Sequence, residues 1–287
     1  PDVITMDIEM PQKNGLETLK ALTNNKSFCT PIIMVSALDN QHTVMDALDL
    51  GAFDFIPKPS DTISSDINEI TDNLIAKIKA AYNSDLSYHE KENKKSATNK
   101  FFSKKIDHFP VIAIGSSSGG PKAVKKLISS FPADFPGGIV IVQHMPAGFT
   151  ETLAKRMDEI SNIDVVEAEN EDQIKPGKAI IAPGDYHLEI HNKKVKLNQK
   201  PKHLGVRPCV DYMMKSVAKN YTQRVIGVIL TGMGHDGAEG MTEIKDNNGY
   251  GIVQDKESDL VYGMTQATID NNAYDEICCL SKIPDKI

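Results

Sequence analysis

Residues 111–124 read VIAIGSSSGGPKAV, and this stretch decides the fold. Val111 to Gly115 form a short apolar run that suits a strand buried on both faces. A turn of glycine and serine follows. Pro121 then stands where a helix would begin, because its missing N–H costs nothing in a first turn. Strand, small-residue turn and helix together are the repeating unit of a parallel α/β sheet. Gly115, Ser117 and Gly119 match G-x-S-x-G, a turn sharp enough to lift the central hydroxyl to the exposed end of the sheet. The helix N-terminus beyond it favours developing negative charge. Two phosphate-binding readings fail here. The P-loop lysine is absent, and Ser117 replaces the middle glycine of a dinucleotide fingerprint.

Downstream the alternation continues. GGIVIVQ (137–143) reads as a strand and ETLAKRM (151–157) as a helix. VVEAE, AIIAPG, HLEIH and KVKLN read as short strands of a β-rich insertion. PCVDYMMKSVAKN (208–220) is helical, VIGVILTG (225–232) is a long apolar strand, and a helix and a short strand follow. The pattern predicts a doubly wound parallel-sheet catalytic domain over residues 110–287.

A serine hydroxyl needs a base to become a nucleophile. His144 follows the strand in IVIVQHMP, and Asp236 follows the long strand in TGMGHDG. Ser117, His144 and Asp236 would therefore gather at the C-terminal edge of one sheet. Ser117 attacks an acyl carbon, His144 moves the proton, and Asp236 orients the imidazole and stabilises its cation. His187 and His235 are competing bases. His235 adjoins Asp236 in sequence, and neighbouring side chains seldom face each other. His187 sits at another strand–loop junction. Gly232 and Gly234 free the backbone of Met233, whose N–H is a candidate oxyanion donor or simply part of a tight turn.

Residues 1–60 repeat the alternation on a smaller scale, and residues 61–83 read as a helical stretch that completes a domain over 1–83. DVITMD, PIIMVSA and FDFIPKP are strands, HTVMDALDLGA is a helix, and so is NGLETLKAL. Asp7, Ser36 and Lys58 stand at the three strand ends. A carboxylate, a hydroxyl and an ammonium on one edge suit an aspartyl-phosphate: Asp7 attacks phosphorus, Ser36 hydrogen-bonds the phosphoryl group, and Lys58 offsets its charge. The D-x-x-M-P-x-x-x-G block and the Lys58-Pro59 pair resemble the second half of a response-regulator receiver, a partial flavodoxin-like domain. In that family Mg²⁺ sits on an acidic pair of the first strand, so Asp7 provides only an incomplete metal site. Pro1 opens inside a strand. The natural protein is therefore expected to begin about 50 residues upstream, at roughly 30 residues per βαβ unit. Mg²⁺ is expected to serve receiver phosphorylation in that full-length protein. Polar residues 84–109 read as a linker.

The motifs IGSSSGG, QHMPAGFT, IAPGDYH, RPCVD and LTGMGHDG, in this order, resemble the catalytic domain of chemotaxis protein-glutamate methylesterases. The resemblance extends over nearly the whole chain. It implies a nucleophile at Ser117, a base at His144, an acid at Asp236, and oxyanion donors on the backbone of Met233 and His144. It further implies methyl-ester hydrolysis, and deamidation of certain glutamines, on methyl-accepting chemotaxis receptors. No cofactor is needed for this hydrolysis. A chemotaxis histidine kinase would be the phosphodonor, and phosphorylation at Asp7 would relieve inhibition.

Composition is ordinary for a soluble globular protein. The 287 residues are 40% hydrophobic and 25% charged, with a formal net charge of -7. That charge argues against nucleic acid as a partner. Cys29, Cys209, Cys278 and Cys279 have no metal-site spacing. No apolar run is long enough to insert in a membrane and no signal peptide opens the chain, so a cytoplasmic protein is expected. A receptor-binding adapter without catalysis, or a regulator with a DNA-binding output, would leave Ser117, His144 and Asp236 unexplained.

Overall fold

The computed structural model describes residues 1–25, 27–37, 40–58, 67–84 and 109–287. The expected linker, 84–109, lies outside the described residues except for its two ends. The chain divides into two compact units, Pro1–His89 and Glu90–Ile287.

In the first unit β1 (Ile4–Asp7), β2 (Ile32–Ser36) and β3 (Asp54–Pro57) form a parallel sheet in that order. Helix α1 (Gly15–Thr23) starts where Asn14 and Glu17 cap each other reciprocally, Oδ1 accepting at 2.8 Å and Oε2 at 3.1 Å. Gly15 is required by close approach, since a Cβ there would lie 2.1 Å from the Asp7 carbonyl oxygen. Helix α2 (Gln41–Asp49) buries Val44, Met45, Ala47 and Leu48. Helix α3 (Ile67–Tyr82) runs against β2 and β3. There Lys77 donates to the Phe55 carbonyl (2.8 Å) and pairs with Asp54 (2.9 Å).

The second unit has seven parallel strands. They are β4 (Val111–Ser116), β5 (Gly138–Gln143), β6 (Asp164–Glu167), β7 (Lys178–Ile181), β10 (Val225–Ile229), β11 (Tyr250–Gln254) and β12 (Glu276–Cys278), in the order β12-β11-β10-β4-β5-β7-β6. Two expectations change here. β6 and β7 belong to this main sheet. Only β8 (His187–His191) and β9 (Lys194–Asn198) stand apart, as an antiparallel hairpin. The helices are α4 (Gly120–Ile128), α5 (Phe149–Ile160), α6 (Val210–Tyr221), α7 (Ala238–Asp246) and α8 (Met264–Asp270).

Every residue of β4 and β5 is buried, as a parallel sheet covered on both faces requires. Val111, Ala113, Val140, Val142, Ile180 and Ala182 share one core with Val210, Met213, Met214 and Val217 of α6 and with Met241 and Ile244 of α7. The intervening Ile112, Ile114, Ile139 and Ile141, pointing to the other face by strand alternation, are equally buried. The chain starts at β4, moves outward on one side and then returns to β10 beside it. The sheet thus has its switch point between β4 and β10, where α/β folds place their ligands. Among the described residues no helix is long and apolar enough to cross a membrane.

Candidate active site

Ser117 follows β4 directly, at the switch point. Gly119 takes φ +76°, the left-handed region that favours glycine, and closes the turn into α4. The Ser117 N–H donates to the Thr231 carbonyl (3.0 Å), and its carbonyl accepts from Gln143 Nε2 (2.8 Å) and the Gly120 N–H (2.8 Å). The backbone of the turn is thus fixed from β5 and from the loop after β10. Its hydroxyl makes no hydrogen bond to a described residue. Gly120 must be glycine, because a Cβ would lie 2.0 Å from Gln143 Oε1.

His144 ends β5. Its Nε2 lies 2.8 Å from Asp236 Oδ2. Asp236 is buried, and four groups meet its carboxylate. Oδ2 accepts from His144 and from the Val210 N–H (2.7 Å); Oδ1 accepts from the Asp211 N–H (2.9 Å) and from Cys209 Sγ (3.1 Å). Val210 and Asp211 open α6, so Asp236 sits on a helix N-terminus and uses two of its unpaired donors. Burial by itself pushes this carboxyl up. The hydrogen bond and charge of His144, with the Asp211 and Val210 N–H groups, outweigh it and hold the group far below the usual carboxylate range. An ionised Asp236 accepts only, so His144 Nε2 carries the proton of the bond between them.

The competing histidines are placed elsewhere. His235 is exposed. His187 is fully buried, with Nε2 3.1 Å from the Pro201 carbonyl.

The loop after β10 brings Met233 to the same place. A Cβ on Gly232 would lie 2.9 Å from Ser117 Cβ and 2.3 Å from Met264 Sδ, so only glycine lets the loop approach the serine this closely. The Met233 N–H is without a partner among the described residues. The His144 N–H, the other expected oxyanion donor, instead donates to the Ser116 carbonyl at 3.1 Å. It continues the β4–β5 ladder.

Several supporting residues were not legible as such. Gln143, which also accepts from Ser116 Oγ (2.6 Å), was read only as strand. RPCVD was noted as a motif, yet nothing in the sequence tied the start of α6 to Asp236. Asp211 is buried and accepts from the Gly237 and Gly240 N–H groups (2.9 and 2.6 Å). Burial, with Asp236 close by, pushes its carboxyl up. His203, Cys209 and Asp211 offer ligand atoms within 4.8 Å of one another. Cys209 Sγ donates to Asp236, however, and burial pushes its thiol up, while Asp211 takes the Gly237 and Gly240 N–H groups, so two of the three already brace the segment that carries Asp236.

In the first unit Asp7 and Lys58 form an ion pair of 2.8 Å. The hydrogen bond from Lys58 holds the Asp7 carboxyl below its usual value. Ser36 is fully buried and its hydroxyl donates to the Ala37 carbonyl (2.9 Å), so here it does not offer its proton to a group on Asp7. Asp7 Oδ1 accepts from the Glu9 N–H (3.2 Å), and Glu9 Oε1 accepts from Asn40 (3.0 Å). Mg²⁺ demands six oxygen ligands in near-octahedral array. One carboxylate with both oxygens engaged does not meet that demand.

The chain is similar to proteins of known family. Residues 112–287 match the CheB methylesterase family, and residues 1–68 match the response regulator receiver domain. A protein-glutamate methylesterase/protein-glutamine glutaminase of Pyrococcus horikoshii is 43% identical over all of this chain and 80% of its own length. The corresponding protein of Thermotoga maritima is 41% identical, over all of this chain and 84% of its own length. The crystal structure of the Thermotoga maritima CheB methylesterase catalytic domain matches with a TM-score of 0.60 at 43% identity, covering 62% of this chain and 96% of that one. With a family match over more than half its length and relatives aligned along all of it, the chain belongs to the CheB methylesterase family, as a hydrolase of the protein-glutamate methylesterase/protein-glutamine glutaminase type that carries a receiver domain.

Proposed function

We propose that the chain hydrolyses glutamate methyl esters on methyl-accepting chemotaxis receptors, with Ser117 as nucleophile, His144 as base and Asp236 as its orienting acid. The observation that carries this reading is the 2.8 Å bond between His144 Nε2 and Asp236, made beside the G-x-S-x-G turn. His144 Nδ1 takes the proton as Ser117 Oγ attacks the ester carbonyl. The Met233 N–H stabilises the resulting oxyanion. Collapse returns the proton to the leaving methoxide, and methanol departs. Water then repeats the sequence on the acyl-enzyme and leaves a glutamate carboxylate. With a glutamine substrate the leaving group is ammonia. A serine-directed fluorophosphonate should label the chain at Ser117, read by peptide mass spectrometry. Labelling that persists in Ser117→Ala, or is unaffected by His144→Ala, would count against the assignment.

Control is proposed to act through Asp7, phosphorylated by a chemotaxis histidine kinase. Support comes from the receiver match and from the Lys58 ammonium, which would offset phosphoryl charge. The division into a receiver (1–83), linker (84–109) and catalytic domain (110–287) belongs to the same proposal.

A further inference from the structure

Asp259 is an acid that this chemistry does not use. It lies between β11 and α8 and is only 8% exposed. Its Oδ2 accepts from Thr265 Oγ1 at 2.6 Å and its Oδ1 from the Val261 N–H at 2.9 Å. From these anchors, contacts lead to both halves of the site. The Val261 N–H also reaches Thr231 Oγ1 (3.0 Å), and that hydroxyl donates to the Ser118 carbonyl (2.9 Å). The Thr231 carbonyl accepts from the Ser117 N–H (3.0 Å). The Val261 carbonyl accepts from the Gly232 N–H (3.1 Å), while the Gly232 carbonyl accepts from the N–H groups of Met264 (2.8 Å) and Gly263 (3.2 Å). Thr265 is the second residue of α8, next to Met264.

We propose that Asp259 is a positioning residue for the reaction: its carboxylate holds segment 261–265 against Thr231 and Gly232, and so sets the distance between Ser117 and the Met233 N–H. The inference rests on the reading of Ser117 as nucleophile and Met233 as oxyanion donor. A carboxylate is the side chain this place needs, because two donors arrive and two acceptor oxygens meet them. Asparagine offers one acceptor and turns a donor toward the other partner. Alanine offers none, and leaves the Thr265 hydroxyl without this acceptor.

Removing an oxyanion donor outright costs about 10²- to 10³-fold in kcat, and a misplacement of about 1 Å can cost about 10²-fold. Asp259→Ala should therefore lower kcat by roughly 10- to 100-fold. KM should stay within about two-fold, because the ground-state ester makes little use of the hole.

The experiment compares the full chain with Asp259→Ala and Asp259→Asn. Methanol release from methylated receptor membranes is measured per Ser117 titrated with fluorophosphonate, so that a misfolded fraction is not counted. Hydrogen exchange of the Gly232–Gly234 amides is followed in parallel. The expected result is a lower kcat per titrated serine in the order Asn then Ala, at constant KM, with faster exchange over 232–234 in the alanine variant. If the alanine variant does not fold, the near-isosteric asparagine variant decides alone. An unchanged kcat per titrated serine, or a loss confined to KM or to the titratable fraction, overturns the proposal. If the unmodified chain shows no Ser117-dependent methanol release, the catalytic reading fails instead. The exchange of Gly232–Gly234 then decides whether Asp259 holds that segment, and unchanged exchange overturns this too.

Discussion

At the scale of single residues, the site is a matter of which hydrogen bond each group has already made. His144 is bonded to Asp236 through Nε2, whereas His235, one residue from Asp236 in sequence, is exposed. His144→Ala should therefore lose activity about as completely as Ser117→Ala, of the order of 10⁶-fold, with no further loss in the double variant, since members of a triad act as a unit. His235→Ala should stay within about three-fold of the parent chain, because an exposed side chain outside the triad carries none of that unit's effect. Methanol-release kinetics on the four variants check this; an inactive His235→Ala beside an active His144→Ala would reassign the base. A second prediction concerns Asp259. Burial pushes its carboxyl up to about 6, with Asp255 adding like charge, against hydrogen bonds from Thr265, Thr231 and Val261. The folded state thus binds a proton that the unfolded chain, with an aspartate pKa near 3.9, has already released. Stability from this group is full below about pH 4 and is lost as pH rises through about 6. Asp259→Asn lacks this dependence. Its stability relative to the parent should therefore rise by up to about 2 kcal/mol between pH 4 and pH 8, measured by urea unfolding at both pH values. A flat difference would contradict the assignment of a buried, ionising Asp259.

At the scale of elements, the residue proposed as the acid of the triad doubles as the cap of α6. Asp236 takes the Val210 and Asp211 N–H groups and orients His144 with the same carboxylate. Asp236→Asn should accordingly do two things. Turnover should fall by about 10⁴-fold, the scale set by loss of tautomer control in a serine triad. Stability should fall by about 1 kcal/mol, the scale of a lost helix cap. Kinetics together with denaturant unfolding read both; a large kinetic loss at unchanged stability would separate Asp236 from α6. This coupling was invisible in the sequence, where Asp211 of RPCVD and Asp236 of GHDG stand 25 residues apart and are joined only in the fold, by hydrogen bonds and the α6–α7 packing. Helix α8 and strand β12 were missed for a related reason. Both are short, and β12 has one partner strand and no long apolar run to mark it. β6 and β7 were set apart as an insertion because consecutive short strands resemble hairpins, and the partner that ties β7 to the main sheet, β5, lies 40 residues earlier in the chain (Ile139 opposite Ala179).

At the scale of the whole molecule, the α/β class and the gathering of Ser117, His144 and Asp236 were legible because all three follow apolar strands that are unmistakable in isolation. Those strands, β4, β5 and β10, are adjacent in the sheet, so one edge collects them. The His144 N–H extends the β4–β5 ladder because a residue just past a strand can still belong to it, which no sequence pattern marks. The catalytic sheet, from β4 to β12, draws every strand from residues 111–278. A fragment of residues 109–287 should therefore fold cooperatively by itself and keep Ser117 reactive toward a fluorophosphonate; a fragment that fails to fold would show that residues 1–108 are needed for the catalytic fold. The central claim is that this edge of the sheet removes methyl groups from receptor glutamates. Its most direct test is methanol release from radiolabelled methylated receptor membranes by the full chain and by Ser117→Ala. Steady release by the first and none above background by the second is the expected result; equal release by both, or none by either, would contradict the methylesterase reading.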